Sequence, residues 1–257
     1  MTDFHCCAIV PTFENPATVR NVVERIRMTL NDVIVVDDGS SEPGRLVCEA
    51  IARDGLAEVI RLPHNSGKGA AMRVGFRAAG KRGFSHAFQI DADGQHDLDA
   101  VPRFLSAAEA SPESAIFATP VYDETAPWLR SFARKITHFW VDLEIGRGVI
   151  KDALIGFRIY PLEATLSLGL VCNRMTFDVE SAVLLAWAGV PIQNLPVGVR
   201  YLTAEAGGMS HFKIGRDNLR LSWLHCRLCT TASIRWFLRR TFRRTRQDPR
   251  ANEPDRS

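Results

Sequence analysis

Phe88-Gln89-Ile90-Asp91-Ala92-Asp93-Gly94-Gln95-His96-Asp97 is the stretch on which the reading of this chain turns. Its first part reads as the end of a buried strand, and two aspartates follow at a spacing of i, i+2. A chain turns after a strand, so both carboxylates can converge on one point at the sheet's edge. Two hard oxygen ligands with an amide oxygen nearby suit Mg²⁺ or Mn²⁺ that keeps positions open for phosphate oxygens. A turn that uses Asp and Gly only for their backbone tolerance would be spelled the same way. D-x-D alone does not separate the two, so the decision rests on the rest of the chain.

Working outward, strands and helices alternate. Cys6 to Pro11 is a short apolar strand. Val19, Val22, Val23, Ile26 and Leu30 recur at helical spacing after Pro16, a residue suited to a helix start. Val33 to Val36 is a continuous β-branched run, as expected of a parallel strand buried on both faces. The turn Asp37-Asp38-Gly39-Ser40-Ser41 leads to a helix from Pro43 to Arg53, and Glu58 to Leu62 is a third strand. Lys68 to Ala79 reads as a helix, His86 to Ile90 as a fourth strand, Asp99 to Ala110 as a helix, and Ala115 to Thr119 as a strand. This order predicts an α/β fold with a mainly parallel, twisted sheet flanked by helices and joined by right-handed crossovers. Ligands of such sheets bind outside the carboxyl ends of the strands. Pro11-Thr12, Asp37-Asp38 and the Asp91/Asp93 pair all fall at such ends, so three polar clusters should face one crevice. Beyond residue 120 the pattern gives a helix over Trp128 to Ile145, a strand over Ile155 to Tyr160, a helix over Asp178 to Ala188 and an extended segment over Ile192 to Tyr201.

Composition is that of a soluble globular protein: 46% hydrophobic and 24% charged over 257 residues. No apolar run reaches the roughly 18 residues that a bilayer span needs. The start of the chain lacks the layout of a signal peptide, so the expected compartment is the cytoplasm. The six cysteines fit no disulfide framework, and Cys226-x-x-Cys229 lacks a second ligand pair. Charge is distributed unevenly. Residues 212–250 hold 11 Lys/Arg against 2 Asp/Glu, whereas residues 1–211 hold 20 against 25. Residues 212–247 therefore read as a basic, amphipathic helical extension, and 248–257 as a polar, disordered tail. Arg216, Arg220 and Arg227 fall on one stripe, Leu221, Leu224 and Leu228 on another, and Trp223, Trp236, Phe237 and Phe242 suit a headgroup layer. The expected partner is an anionic membrane surface, with the protein peripheral on the inner face of the cytoplasmic membrane. A helix packed on the domain with a solvated basic face is the alternative. No nucleic-acid-binding motif accompanies the charge.

Four segments, in order, resemble a known family: Ile9-Val10-Pro11-Thr12-Phe13, Val35-Val36-Asp37-Asp38-Gly39-Ser40, Asn65-Ser66-Gly67-Lys68-Gly69-Ala70-Ala71 and Ile90-Asp91-Ala92-Asp93-Gly94-Gln95-His96. Together they are similar to family 2 glycosyltransferases, closest to the polyprenyl-phosphate (dolichyl-phosphate-mannose-synthase-like) branch. Lys151 to Arg158, ending in Gly-Phe-Arg, resembles that branch as well. The resemblance covers about residues 5–205 and makes 1–211 the catalytic domain. It implies the nucleotide-diphospho-sugar transferase fold and an inverting, metal-dependent hexosyl transfer from a nucleoside diphosphate sugar to a lipid-linked acceptor such as a polyprenyl phosphate. A cation at Asp91 and Asp93 would neutralise the leaving diphosphate, and by resemblance Gln95 joins the metal or diphosphate shell, with Ala92 beside the donor.

By the same resemblance Asp37 and Asp38 serve base and ribose, Val36 lends backbone, and Pro11 and Phe13 shape the nucleoside wall. The family writes Asn-Glu after the aromatic residue; here the order is Glu14-Asn15, and Glu14 is taken as the nucleotide contact. Lys68, in a Gly-rich turn at a helix start, is placed on donor phosphate or sugar oxygens. Arg158 and Arg200 are placed on phosphate, because a guanidinium offers a planar fork. Asp178 aligns with the family's general base, with helix capping as the competing role. Ser210-His211, after Gly207-Gly208, would form a closing loop. Two other readings compete. A nucleotidyltransferase of related fold wants a Gly-rich basic loop after the first strand, where this chain has Pro11-Thr12-Phe13-Glu14-Asn15. A binding module on an inactive fold has no need of both Asp91 and Asp93.

Overall fold

The structure, a computed structural model, describes residues 4–122, 128–200 and 220–234. Seven strands form one sheet: β1 (Cys6–Thr12), β2 (Val33–Asp37), β3 (Glu58–Arg61), β4 (His86–Ile90), β5 (Ala115–Tyr122), β6 (Phe157–Pro161) and β7 (Ile192–Val199), in spatial order β3-β2-β1-β4-β6-β5-β7. All pairings are parallel except those of β6, which runs antiparallel to both β4 and β5. The principal helices are α1 (Val19–Arg27), α2 (Glu42–Arg53), α3 (Lys68–Lys81), α4 (Val101–Ala110), α5 (Trp128–Ile145), α6 (Leu162–Leu166) and α7 (Phe177–Trp187). Residues 220–234 are also helical and are called α8. The expected mainly parallel sheet flanked by helices forms, with β6 as its antiparallel strand.

Alternation along β1 explains its unbroken apolar sequence. Cys6, Ala8 and Val10 enter a core with α1, α2 and α4, while Cys7 and Ile9 enter a second core with α3, α5, α6 and α7. A strand covered on both faces has no solvent side to mark with polar residues. Leu224 and Leu228 of α8 lie in the second core, which leaves Arg220, Trp223 and Arg227 outward. The six cysteines are unpaired. The expected extension over 212–247 and the tail over 248–257 fall outside the described residues except for 220–234, and the Ser210-His211 loop lies wholly outside them.

Asp152 fixes the chain just before β6. Its Oδ1 accepts the N–H of Leu154 and of Ile155, both at 2.8 Å, and Oδ2 pairs with Arg134 and lies 3.6 Å from His138 of α5. Burial pushes the carboxyl pKa up, but the His138 hydrogen bond and the Arg134 charge prevail, holding it well below the usual carboxylate range. A lowered folded-state pKa gives stability that is complete above the unfolded value of about 4 and is lost as pH falls toward the folded one. Asp152→Asn should therefore lower the urea midpoint at pH 7, and the gap to wild type should narrow as the buffer is taken below about pH 4. A gap that is constant across this range would show that the ion pair does not stabilise the turn.

Candidate active site

The site forms at the carboxyl ends of β1, β2 and β4. Asp91 leaves β4 with its N–H on the Gly156 carbonyl at 3.2 Å, and its carboxylate packs directly over Gly156, where a Cβ would overlap it. Lys68, the first residue of α3, reaches this carboxylate. Its Nζ lies 2.8 Å from Oδ1 and 2.9 Å from Oδ2, donates to Oδ2, and donates also to Asp178 Oδ2 at 2.8 Å. Asp178 Oδ1 accepts from Gln89 Nε2 at 2.9 Å, and Gln89 Oε1 accepts from the Tyr160 hydroxyl at 3.0 Å. A polar chain, Tyr160–Gln89–Asp178–Lys68–Asp91, thus runs from the second core to the crevice. Burial alone would depress the Lys68 ammonium, but Asp178 and then Asp91 more than offset it and hold its pKa above the usual lysine range. Lys68 is therefore a fixed cation at the floor of the site.

The Lys68 loop is held by backbone on both sides. Asp38 accepts the N–H of Ser66 and of Gly67, each at 2.7 Å. Burial raises the Asp38 pKa, and those two amide bonds pull against the rise. On the other side Gly67 and Gly69 press against the carbonyls of Asn173 and Cys172, too close for any Cβ. Gly67 also has φ +100°, a backbone conformation that glycine takes without strain.

The Asp93 turn stands at the crevice edge. Asp93 Oδ1 accepts the N–H of Gln95 at 3.0 Å, and Thr18 Oγ1 donates to the Ala92 carbonyl at 2.6 Å. Arg200 follows β7 and donates its N–H to the Gln95 carbonyl at 2.9 Å, so its backbone lies at this turn. Asp91 Oδ1 is buried and receives no directed hydrogen bond; the Lys68 ammonium lies 2.8 Å from it. That oxygen, the half-buried Asp93 carboxylate and the Gln95 amide fit a hard divalent cation with open positions. Among the described residues no cluster of three or more His, Cys, Asp or Glu is placed to close a metal shell.

Several expectations need correction. Arg158 does not face phosphate. It lies on β6 opposite Gln89 with no exposed surface; its guanidinium donates to the Asp178 carbonyl at 2.6 Å and stacks 4.4 Å over the Phe117 ring. It supports the start of α7 instead. Asp178 is likewise wholly buried with both oxygens engaged, so it positions Lys68 and offers no face to an acceptor hydroxyl. Asp37 is buried against Arg61 and accepts the Ser40 N–H at 2.9 Å, so it and Asp38 build the turns, each of their oxygens already holding a partner from the protein. Pro11 and Val36 are buried ladder partners, and Val36 belongs to the second core. Phe13 is half-buried at the crevice. Glu14 sits at φ +55°, unusual for a residue with a side chain, and holds Ser41 at the start of α2 through N–H (2.6 Å) and Oγ (2.8 Å). Asp91 is held by Lys68, so a cation at this turn would share the Asp91 carboxylate with that ammonium. Sequence reasoning missed Gln89, Tyr160 and Gly156. The signal for Gln89 was a polar residue inside an otherwise apolar strand.

A mainly parallel sheet flanked by helices, with a two-aspartate turn at the carboxyl edge, is the architecture of the nucleotide-diphospho-sugar transferase class. Residues 7–164 match the sequence profile of Glycosyl transferase family 2, and the chain belongs to that family. It is 32% identical over 162 residues to polyprenol monophosphomannose synthase of Mycolicibacterium smegmatis, an alignment covering 60% of this chain and 61% of that protein. It is 30% identical over 232 residues to dolichyl-phosphate beta-glucosyltransferase of Mus musculus, covering 82% of this chain and 67% of that one. The names of these relatives accord with the polyprenyl-phosphate branch. The chain spans about three fifths of the Mycolicibacterium relative's length (61%). The fold also superposes on glucosyl-3-phosphoglycerate synthase from Mycobacterium tuberculosis in complex with Mn²⁺, uridine diphosphate and glucosyl-3-phosphoglycerate. The TM-score is 0.64 at 17% identity, covering 89% of this chain and 80% of that one, a likeness of fold.

Proposed function

We propose that the protein is an inverting, metal-dependent hexosyltransferase that moves a sugar from a nucleoside diphosphate donor to a polyprenyl-phosphate or similar lipid-linked acceptor at the inner face of the cytoplasmic membrane. Family membership and the names of the relatives support the reaction class. The observation that favours a phosphate over an alcohol as acceptor is the complete burial of Asp178. An alcohol needs a base to take its proton. A phosphate monoester has its second pKa near about 6 and is already an anionic nucleophile at neutral pH. A site whose aligned carboxylate only positions a lysine suits the second case.

Lys68 presents positive charge to the donor's oxygens, and Asp178 and Asp91 fix where that charge sits. Asp93, Gln95 and Asp91 would hold Mg²⁺ or Mn²⁺, which when bound would neutralise charge growing on the leaving diphosphate. Arg200 lies at the same turn by its backbone and would take phosphate oxygens there. Asp93→Ala should lower transfer at least about a hundredfold, and EDTA should do the same to the wild type. Nucleoside diphosphate release assayed with a sugar-nucleotide panel reads both. Transfer that survives both treatments would remove the metal from the account.

Membrane action draws support from exposed apolar side chains. Ile136, Phe139, Trp140 and Leu143 recur at i, i+3, i+4, i+7 along α5 and are exposed, as are Trp223 and Ile234 of α8. Among the described residues no helix is long and apolar enough to cross a membrane. Phe139→Glu/Leu143→Glu should cut co-sedimentation with phosphatidylglycerol vesicles about tenfold, two apolar contacts being exchanged for charges. Unchanged co-sedimentation would remove α5 from the membrane surface.

A further inference from the structure

A cleft of about 200 Å³ lies between the segment 172–176 and α8. Arg174, Arg220 and Arg227 line it, with Thr176, Trp223 and Leu224, and among the described residues no carboxylate does. It is remote in sequence from the Asp93 turn, and none of its lining side chains is used in the donor site above. We propose that this cleft binds the phosphate of an amphipathic monophosphate and, resting on the transfer reading, is where the acceptor's headgroup is seated.

Charge is the first ground. Three arginines lining one small space favour an anion with several acceptor oxygens. Arg227 pairs with Glu180 at 2.5 Å, and its hydrogen bonds among the described residues all run through Nη2. Arg174 binds Asn65 through Nη1 and Nη2. Both side chains are thus held in place, as a preorganised anion site requires. Shape is the second ground. Trp223 at the rim is 74% exposed, whereas the adjacent Leu224 is buried. An exposed indole beside basic groups matches a ligand with an apolar chain behind its charge.

Position is the third ground. The Arg174 side chain occupies the space where a Cβ on Gly67 would stand, one residue from Lys68. Glu180 Oε2 accepts the N–H of Val171 at 3.0 Å and of Cys172 at 2.7 Å, and the Asn173 carbonyl accepts the Ala70 N–H at 3.2 Å. Asp178 and Glu180, two residues apart on α7, point in different directions. One holds Lys68; the other ties the cleft's wall to Arg227. A phosphate in the cleft therefore bears on the segment that fixes the Lys68 loop.

The test uses the full chain and a short-chain isoprenyl monophosphate below its micelle concentration, with inorganic phosphate and the matching isoprenyl alcohol as separate arms, by calorimetry. The expected result is saturable binding of the monophosphate, weakened at least about tenfold by Arg220→Gln and by Arg174→Gln, a lost charged hydrogen bond being worth about 1.5–3 kcal/mol. Arg220 is exposed, so its variant should fold as wild type does, and nucleoside diphosphate binding should be unchanged in it. Equal affinity in wild type and both variants would overturn the site. The alcohol binding as well as the monophosphate would overturn its phosphate character. Inorganic phosphate binding as tightly as the isoprenyl compound would overturn its amphipathic character. Arginine-dependent binding of the monophosphate with no transfer from any donor would support the cleft and count against the transferase reading instead.

Discussion

Lys68→Met should lower sugar transfer by about a thousandfold and destabilise the fold by about 3 kcal/mol. The rate estimate follows from removing a preorganised cation from a site where charge develops. The stability estimate follows from leaving Asp178 without exposed surface and without its charge partner, since removing one member of a buried pair costs about 3–5 kcal/mol. The two effects are separable. Adding Asp178→Asn to Lys68→Met removes the stranded charge, so most of the stability should return while transfer stays low. Urea unfolding of the four proteins of that double-mutant cycle reads the coupling directly. Stability losses that simply add would mean that the 2.8 Å contact between Lys68 and Asp178 does not couple them.

Gly156→Ala should be nearly as damaging to activity, although a single methyl group is added. A Cβ there would overlap the Asp91 carboxylate, and Gly156 is buried at the mouth of β6 with little room to give. Asp91 must then swing away and release its hold on Lys68. Transfer should fall about a hundredfold, as small displacements of positioning groups do, with an overpacking cost of about 1–3 kcal/mol. Donor affinity and turnover measured separately locate the fault. A variant that only binds the donor less tightly, with turnover intact, would show that Asp91 orients the nucleotide and not the reacting centre.

Much of this arrangement is written locally in the chain. The apolar runs of β1, β2 and β4 and the helical spacing of α1 and α3 each declare an element, and strand ends in a parallel sheet gather at one edge by geometry alone. That is why Asp91, Asp93 and Lys68 could be brought to one crevice from sequence. The pairing of β6 between β4 and β5 has no local signature, because strand order is decided by non-local burial. Arg158 was therefore misplaced. In isolation a Gly-Phe-Arg segment offers a free guanidinium, and only the register Gln89↔Arg158 puts it inside the sheet beneath α7. Asp178 was misjudged for the same reason. Its place at the first turn of α7 is legible, but its burial depends on Gln89 and Lys68 arriving from two other elements. Asp37 and Asp38 show the converse: acidic residues after a strand can be spent on neighbouring loops, as the amide bonds to Ser40, Ser66 and Gly67 show.

The central claim is that a sugar passes from a nucleoside diphosphate to a phosphate acceptor over the Lys68–Asp91–Asp178 array. Its most direct measurement is nucleoside diphosphate release from UDP-, GDP- and dTDP-sugars with Mn²⁺ or Mg²⁺, comparing an isoprenyl monophosphate with the matching alcohol, in wild type and Lys68→Met. The account predicts release from one donor that requires the metal and the monophosphate and is lost in Lys68→Met. Equal release with the alcohol, or full release in Lys68→Met, would contradict it.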